Sequence, residues 1–321
     1  MTESANDAPL GVIDFHSHFT GPSFNRTILD RLKDPKARAE WGRIDALLDS
    51  PAALVDSLEE TGVSARVINI PTAFLEDADG NVPPDTHRKI NDEVANIVAK
   101  NPGRLHGLAT IDVFSGDDGA REVHRAHKEL GINGIFVESA SGDLLLDAKE
   151  ARPTLAAAEE LGIPVFVHPQ TDPQLHARFA PRGRLGHRLA RGTVNSATLL
   201  AMLDQGVFDE LPKLQVVVTT LAIGGVLMAG GFADGHGIRA DTPELMRRHA
   251  YIDTMGIHPA LVGAVVDLLG ADHVLAGTDW PVAVEKDVPA RLKTALDAAG
   301  LNAAEQEMVA SGNTLRLLRA G

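Results

Sequence analysis

The chain has 321 residues, of which 44% are hydrophobic and 23% charged, as is typical of globular proteins. Its net charge of −14 argues against nucleic acid or an anionic membrane as a partner, because phosphate groups would be repelled. The absence of cysteine excludes disulfides and thiolate zinc sites, so any metal must be held by His, Asp or Glu.

The N-terminus is polar and lacks the basic-then-apolar pattern of a secretory signal. We therefore expect a disordered tail over residues 1–10 and one domain over residues 11–321. Residues 214–233 form a stretch of 20 uncharged residues, which is long enough to cross a bilayer. Two Gly pairs interrupt it and its first half is β-branched, which favours a buried strand followed by a buried helix. We expect a cytoplasmic protein with no membrane partner.

Apolar β-like runs alternate with amphipathic helical patterns along nearly the whole chain. The predicted strands are residues 11–15, 65–70, 105–112, 134–138, 164–168, 214–220, 250–254 and 273–279. The clearest predicted helices are residues 51–62, 86–103, 120–131, 150–162, 195–206 and 259–270. The longest irregular stretches are residues 19–47 and 170–194, and each directly follows a strand.

This alternation of eight strands with helices predicts a single (β/α)8 barrel of the α/β class. A doubly wound open sheet shows the same alternation and is the alternative. No Gly-rich phosphate-binding loop follows the first strand, which argues against that alternative. In a barrel, the two irregular stretches would be loops of the active-site face, because barrel chemistry lies at the C-terminal ends of the strands.

Polar residues at those strand ends form a set that suits a metal. Because side chains alternate along a strand, His16 and His18 at the end of the first strand point to the same face. Glu138 follows the fourth strand, His168 the fifth and Asp279 the eighth. Three imidazoles and a carboxylate suit one divalent ion, with Zn²⁺ as first choice and Mn²⁺ as alternative. Taken singly, each residue could also be an ordinary strand-end or turn residue.

The segments that carry these residues resemble the amidohydrolase-related family, the group that includes aminocarboxymuconate-semialdehyde decarboxylase. The resemblance rests on IDFHSH, VFVHP, YIDTMG and ADHVLAGTDWP, which occur in that order between residue 11 and about residue 317. It implies a metal-dependent barrel, a small-molecule substrate and a homodimer. The ligands it implies are His16, His18, His168 and Asp279. Many binuclear relatives carry a carboxylated lysine after the fourth strand, where this chain has Glu138, and this favours one metal.

One position departs from the family pattern. Close relatives have a histidine after the sixth strand, in a pattern like H-x-G-G, whereas this chain has Thr219 and Thr220. Threonine cannot accept a proton at neutral pH, so the role of that histidine is absent or has moved. Asp279 is then the first candidate for proton transfer, and Thr220 and Glu138 are further catalytic candidates.

Two reactions fit this set of residues. A bound metal lowers the pKa of its water toward about 7, and with Asp279 as proton acceptor such a site hydrolyses an amide, a lactone or a similar bond. The alternative is non-oxidative decarboxylation of an aromatic or muconate-type acid, in which Asp279 protonates the ring carbon. The missing histidine slightly favours hydrolysis. A barrel that only binds a ligand is a third alternative.

Two groups of residues are candidates for contacting the substrate. The stretch after the fifth strand carries three arginines that could clamp a carboxylate, Arg178, Arg182 and Arg184. A solvated basic loop is the more common role of such a run. Trp280 and Trp41 are candidates for lining the pocket, with core packing as the alternative.

Overall fold

The computed structural model describes residues 10–24, 27–76, 82–83, 85–231, 239–256 and 258–319. The predicted N-terminal tail lies outside the described residues, apart from residue 10. Within the described part of the chain, no helix is both long and apolar enough to span a membrane.

The strands follow one another around a barrel in chain order. We number them β1 Ile13–His18, β2 Ala65–Asn69, β3 Leu105–Gly107 with its continuation Ala109–Thr110, β4 Ile135–Glu138, β5 Val165–His168, β6 Val216–Val218, β7 Ala250–Asp253 and β8 Val274–Leu275. Each pairs in parallel with the next, the first part of β3 with β2 and its continuation with β4. A short antiparallel hairpin, Ala140–Ser141 with Leu144–Leu145, follows β4.

Backbone hydrogen bonds between β1 and the segment after β8 close the ring. The Phe15 amide donates to the Ala276 carbonyl at 2.8 Å, and the His18 amide donates to the Trp280 carbonyl at 2.7 Å. Between them the Asp279 amide donates to the His16 carbonyl at 2.8 Å. The segment that contains β8 and the residues after it therefore lies beside β1 as the eighth strand position of a closed barrel. The predicted barrel is confirmed.

Helices cover the outside of the barrel and parts of its mouth. They are α1 Ile28–Arg31, α2 Pro35–Leu48, α3 Pro51–Thr61, α4 Thr86–Lys100, α5 Asp117–Leu130, α6 Arg152–Leu161, α7 Pro173–Phe179, α8 Gly183–Asp204, α9 Val207–Glu210, α10 Ile223–Gly231, α11 Thr242–His249, α12 Pro259–Leu269, α13 Val288–Ala298, α14 Ala303–Glu307 and α15 Asn313–Arg319. Short 3₁₀ turns occur at Thr72–Phe74, Val113–Ser115, Ala180–Arg182, Thr220–Ala222 and Ala271–His273, and a π-turn at Met308–Gly312. The six predicted helices and eight predicted strands all overlap observed elements.

The prediction of irregular structure over residues 19–47 and 170–194 is wrong, because α1, α2, α7 and much of α8 lie there. Two of these helices begin at an Asp-Pro pair. The Asp34 side chain accepts from the Ala37 amide at 2.7 Å, and the Asp172 side chain accepts from the Leu175 amide at 2.6 Å. An Asp cap followed by Pro is a start signal for a helix, and both pairs are visible in the sequence.

Alternate residues of the strands build two apolar layers. One layer fills the barrel and the other lies between strands and helices. Inside the barrel, Phe166 makes edge-to-face contacts with Phe15 and Phe136, at centroid distances of 5.4 and 5.8 Å. Phe166 also contacts the His16 ring at 5.0 Å. These aromatic rings form an apolar floor directly beneath the polar mouth, which keeps water away from its lower side.

Candidate metal centre

Three histidines meet at the C-terminal mouth of the barrel. His16 and His18 end β1 and His168 ends β5, and all three are buried. Their ring centroids lie 5.1 to 6.1 Å apart. Each residue offers one ring nitrogen, and these atoms lie within 4.8 Å of one another, so a single ion could contact all three.

Each imidazole is held through Nδ1 by an oxygen atom. His16 Nδ1 lies 2.6 Å from Asp253 Oδ2, and His18 Nδ1 lies 2.8 Å from Asn69 Oδ1. His168 Nδ1 lies 3.1 Å from Glu138 Oε2. The acceptors of these bonds come from the ends of β7, β2 and β4. A proton on each Nδ1 leaves the Nε2 lone pair facing the mouth, which is the usual arrangement around metal-binding histidines.

One buried nitrogen without a hydrogen-bond partner in the described part of the chain indicates that the three histidines fit a divalent ion. His16 Nε2 is buried and has no hydrogen-bond partner among the described residues, which is costly unless a ligand completes it. Asp279 Oδ1 lies 3.2 Å from His18 Nε2 and 3.6 Å from His16 Nε2. A carboxylate among imidazole lone pairs supplies the charge that a dication needs. The four predicted ligands are thus brought together.

The electrostatic environment gives the two carboxyl groups at the mouth, Asp279 and Glu138, opposite protonation states. Burial would raise the pKa of Asp279, but its hydrogen bond to His18 and the nearby positive charges hold that pKa below its usual value. Burial raises the pKa of Glu138 to about 8. Asp279 is therefore ionised at neutral pH, whereas Glu138 is mainly protonated.

Burial also decides the state of the imidazoles. It lowers the pKa of His18, and it holds the pKa of His168 well below its usual value, with Arg191 adding to the effect. Burial acts in the same direction on His16, but Asp253 outweighs it and raises the pKa of that ring. The lowered pKa values keep the rings of His18 and His168 neutral, and a neutral ring with a free lone pair is what metal coordination requires.

Thr220 acts on this site through another residue. Its amide donates to Asp253 Oδ1 at 2.9 Å, and its hydroxyl lies 2.7 Å from the same oxygen. Asp253 in turn holds His16 Nδ1, so Thr220 fixes the orientation of a predicted ligand. Thr219, its neighbour, is fully buried and accepts a hydrogen bond from Asn195 at 2.9 Å. No histidine lies at this strand end.

A glycine lets the last segment approach this cluster. A methyl group on Gly277 would lie 2.9 Å from Asp253 Cβ and 3.1 Å from His16 Cβ, which is too close. Two residues later, Asp279 has a positive φ of 68°, a conformation that few non-glycine residues adopt. Backbone strain of this kind is typical of functional positions and here accompanies the aiming of the carboxylate.

The candidate substrate residues fall into different places. Arg178 and Arg182 are exposed, and Arg184 forms an exposed ion pair with Glu40 of α2. Trp280 is only 2% exposed, and the guanidinium of Arg66 lies 5.0 Å from its ring centre. Its side chain thus packs in the protein interior.

Trp41 has the better position at the mouth. Its ring lies 5.8 Å from that of Phe74, which in turn lies 6.1 Å from His18. Trp41 is partly exposed, whereas Trp280 is buried.

Three residues of the site have no assigned role in the sequence prediction, namely Asn69, Asp253 and Arg191. The first two end strands β2 and β7, so the rule that found Glu138 applies to them as well. Arg191 lies within α8, in the third turn of a long helix, and its Nη2 is 3.1 Å from His168 Nε2. No local signal in the sequence separates it from the exposed arginines before it.

Comparisons with known proteins agree with this architecture. A family model described as amidohydrolase matches residues 13–320. Gamma-resorcylate decarboxylase of Polaromonas sp. (strain JS666 / ATCC BAA-500) is 26% identical over 276 residues, which cover 75% of this chain and 80% of that protein. The 2-amino-3-carboxymuconate-6-semialdehyde decarboxylase of Dictyostelium discoideum is 24% identical over 284 residues, which cover 86% of this chain and 78% of that protein.

A solved structure shows the same fold. The crystal structure of dihydroxybenzoic acid decarboxylase from Polaromonas sp. JS666 contains bound manganese and the inhibitor 2-nitroresorcinol. It matches with a TM-score of 0.78 and 21% identity over 97% of each chain. The barrel described above is therefore shared by a metal-containing protein.

Proposed function

Because the chain belongs to the amidohydrolase family, we propose that it is a non-oxidative decarboxylase of a hydroxylated aromatic acid and uses one divalent ion. The observation that carries this proposal is the set of three inward imidazole lone pairs beside an ionised Asp279. The sequence alone slightly favours hydrolysis, with decarboxylation as its alternative. The names of the two relatives support the alternative, and we adopt it here.

His16, His18, His168 and Asp279 would hold the ion. When bound, a divalent ion supplies stabilisation of the negative charge that the substrate oxygens carry while carbon dioxide leaves. Mn²⁺ is the first ion to test, since the Polaromonas structure contains manganese, and Zn²⁺ is the second. The partly exposed ring of Trp41, which packs against Phe74 beside His18, provides a flat apolar surface for a benzenoid ring.

Asp279 is the residue that we assign to proton transfer. Decarboxylation breaks the bond between the ring carbon and the carboxylate carbon, and the ring carbon must gain one proton as carbon dioxide departs. Asp279 Oδ1 faces the two histidines of β1, whereas Oδ2 has no hydrogen-bond partner among the described residues. Because Asp279 is ionised, Oδ2 first takes a proton from water and then delivers that proton to the ring carbon, which returns the carboxylate to its ionised state for the next turnover.

Glu138 and Thr220 have positioning roles in this proposal. Glu138 holds His168 Nδ1, and Thr220 holds Asp253, which in turn holds His16. Each therefore controls the direction of a lone pair without contacting the substrate. Glu138 is the next candidate for the proton-transfer group if Asp279 proves dispensable.

The proposal is tested by following carbon dioxide and the ring proton together. Protein loaded with Mn²⁺ or Zn²⁺ is incubated with 2,6-dihydroxybenzoate, other hydroxybenzoates and 5-carboxyvanillate, and released carbon dioxide is measured. In heavy water, we expect one deuterium at the ring carbon that bore the carboxylate. Metal-free protein is the matched control and should be inactive. Metal-loaded protein that releases no carbon dioxide from any of these acids would contradict the proposal.

Hydrolysis is the second candidate, and Thr219 and Thr220 at the end of β6 are the observation that favours it. The structure has threonines where the decarboxylase-like pattern has a histidine, so one proton-transfer group of that pattern is absent. A parallel panel of lactones and amides separates the two reactions. Turnover of that panel without carbon dioxide release would favour hydrolysis.

A further inference from the structure

Arg191 makes a contact that conflicts with a bound metal. Its Nη2 donates to His168 Nε2 at 3.1 Å, and its Nε donates to the Pro169 carbonyl at 2.9 Å. His168 Nε2 is also the atom that faces the other two imidazoles, because Nδ1 is held by Glu138. One lone pair serves one partner, so the guanidinium and a metal ion cannot hold this nitrogen at the same time.

The charge of Arg191 makes the competition stronger. Arginine stays protonated in proteins, so a divalent ion at the histidines would face a fixed positive charge at close range. The described residues offer it no hydrogen-bonded carboxylate, although the ionised Asp279 lies near enough to stabilise its charge. No acidic residue occurs between residues 173 and 203, so α7 and α8 supply no other anion. A partly buried guanidinium in this state is open to an anionic ligand.

The other arginines of this segment are placed differently. Arg178, Arg182, Arg184 and Arg188 are exposed. Arg191 is the member of this group whose side chain reaches the histidines. A guanidinium presents paired N–H groups that match a carboxylate, and Nη1 of Arg191 has no hydrogen-bond partner among the described residues.

We propose that Arg191 is the carboxylate-binding residue of this site and that it occupies His168 Nε2 until a carboxylate draws it away. The metal and the carboxylate ligand then bind with positive coupling. The carboxylate draws the guanidinium away from His168, and the metal, once it holds His168 Nε2, prevents the guanidinium from returning. That the carboxylate belongs to the substrate rests on the proposed function. The competition for His168 does not.

The first test is the affinity for Mn²⁺ in the absence of any carboxylate, measured by competition with a fluorescent chelator. Arg191→Met keeps an unbranched apolar stem and removes the guanidinium with its charge, and we expect it to bind Mn²⁺ at least ~10-fold more tightly than the wild-type protein. Arg188→Met is the matched control, since it removes an exposed charge from the same helix, and its affinity should stay within about twofold. Unchanged or weaker Mn²⁺ binding by Arg191→Met would overturn the proposal, because Arg191 would then support His168.

The second test measures the coupling with benzoate as the carboxylate probe. In the wild-type protein, saturating benzoate should tighten Mn²⁺ binding at least ~5-fold, and Mn²⁺ should tighten benzoate binding by the same factor. In Arg191→Met both gains should fall at least ~5-fold, leaving only any direct contact between benzoate and the metal. An equal gain in wild-type and variant protein would show that Arg191 does not bind the carboxylate.

Arg191→Lys protects the test against a folding defect of the methionine variant. Lysine keeps the positive charge but lacks the planar fork, so Mn²⁺ affinity should stay close to wild type while the benzoate coupling weakens. Both readouts are independent of turnover. If the coupling is found but no aromatic acid is decarboxylated, the proposed function fails and the role of Arg191 stands. If decarboxylation is found without coupling, the reverse holds.

Discussion

The two ends of β1 both bury polar side chains, but those at its start are fully hydrogen-bonded and those at its end are not. At its start, Asp14 accepts hydrogen bonds from the amides of His16 and Thr278 at 3.2 and 2.9 Å. It also accepts from the hydroxyls of Ser17 and Thr278, at 2.9 and 2.6 Å, and forms an ion pair with Arg66.

Arg66 completes this cluster at the start of the strand. Its other nitrogens donate to Ser57 Oγ at 3.1 Å and Thr61 Oγ1 at 2.9 Å, two hydroxyls of α3. At the end of the strand, His16 Nε2 has no hydrogen-bond partner among the described residues and lies 3.6 Å from Asp279 Oδ1, and His18 Nε2 lies 3.2 Å from the same oxygen.

This difference indicates that the cluster around Asp14 and Arg66 is structural, whereas the cluster around His16 and His18 is a binding site. A buried network in which each member is paired fixes the register of the strands it joins, here β1, β2 and the segment after β8. A buried nitrogen left open on the same strand is destabilising, and it persists where a ligand completes it. Changes in the first cluster should therefore alter stability, whereas changes in the second should alter binding and turnover.

The largest expected effect is the loss of metal from the open cluster. Changing both His16 and His18 to alanine removes two of the three lone pairs, so the metal content should fall from about one ion per chain to nearly none. Elemental analysis of the purified protein measures this. Full metal occupancy in the double variant would refute the assignment of the site.

Next in size is the loss of stability from the paired cluster. Arg66→Met leaves Asp14 charged and buried without its ion pair, and the free energy of unfolding should fall by about 3–5 kcal/mol. Chemical denaturation measures it. Arg104→Met is the control, because Arg104 pairs with Glu59 at the surface and its loss should change stability by less than about 1 kcal/mol. Equal effects of the two changes would remove the distinction between the clusters.

A smaller effect is expected on turnover when the proton-transfer residue is changed. Asp279→Asn should keep part of the metal and lower kcat at least ~10²-fold, about 2.7 kcal/mol in activation free energy. Asparagine tolerates the positive φ of this position, so the backbone should remain in place.

Asp287→Asn is the matched control for that change, since Asp287 is an exposed aspartate with a φ of 51°. Its kcat should stay near that of the wild-type protein. Near-normal turnover and metal content in Asp279→Asn would place the proton-transfer group elsewhere.

The smallest effect is expected from the residue that acts through Asp253. Thr220→Ala should weaken metal binding ~10- to 100-fold and lower kcat less than Asp279→Asn does, because His16 loses part of its support. Thr220→Ser should restore the affinity, and Thr193→Ala, an exposed threonine of α8, should have no effect. A loss confined to KM with unchanged metal affinity would assign Thr220 to the substrate.

Much of this architecture is determined by local pattern. The eight strands and their order follow from alternating apolar runs, and the H-x-H pair follows from the two-residue repeat of a strand. Strand-end position alone identifies His168, Glu138 and Asp279 as residues of one mouth. The starts of α2 and α7 are also encoded locally, because Asp34 and Asp172 cap these helices directly before a proline.

Only the tertiary structure decides which of the remaining polar residues share the site. Arg178, Arg182 and Arg191 belong to one run of arginines, yet one guanidinium reaches His168 and the other two are exposed. Side-chain reach depends on how α8 packs across the mouth, and that is set by contacts between residues distant in the chain. For the same reason the pairing of His16 with Asp253, 237 residues away, has no signature in either segment alone. Local sequence determines strand, helix and the face of each side chain, but the partner of a buried charge is chosen by the three-dimensional packing that surrounds it.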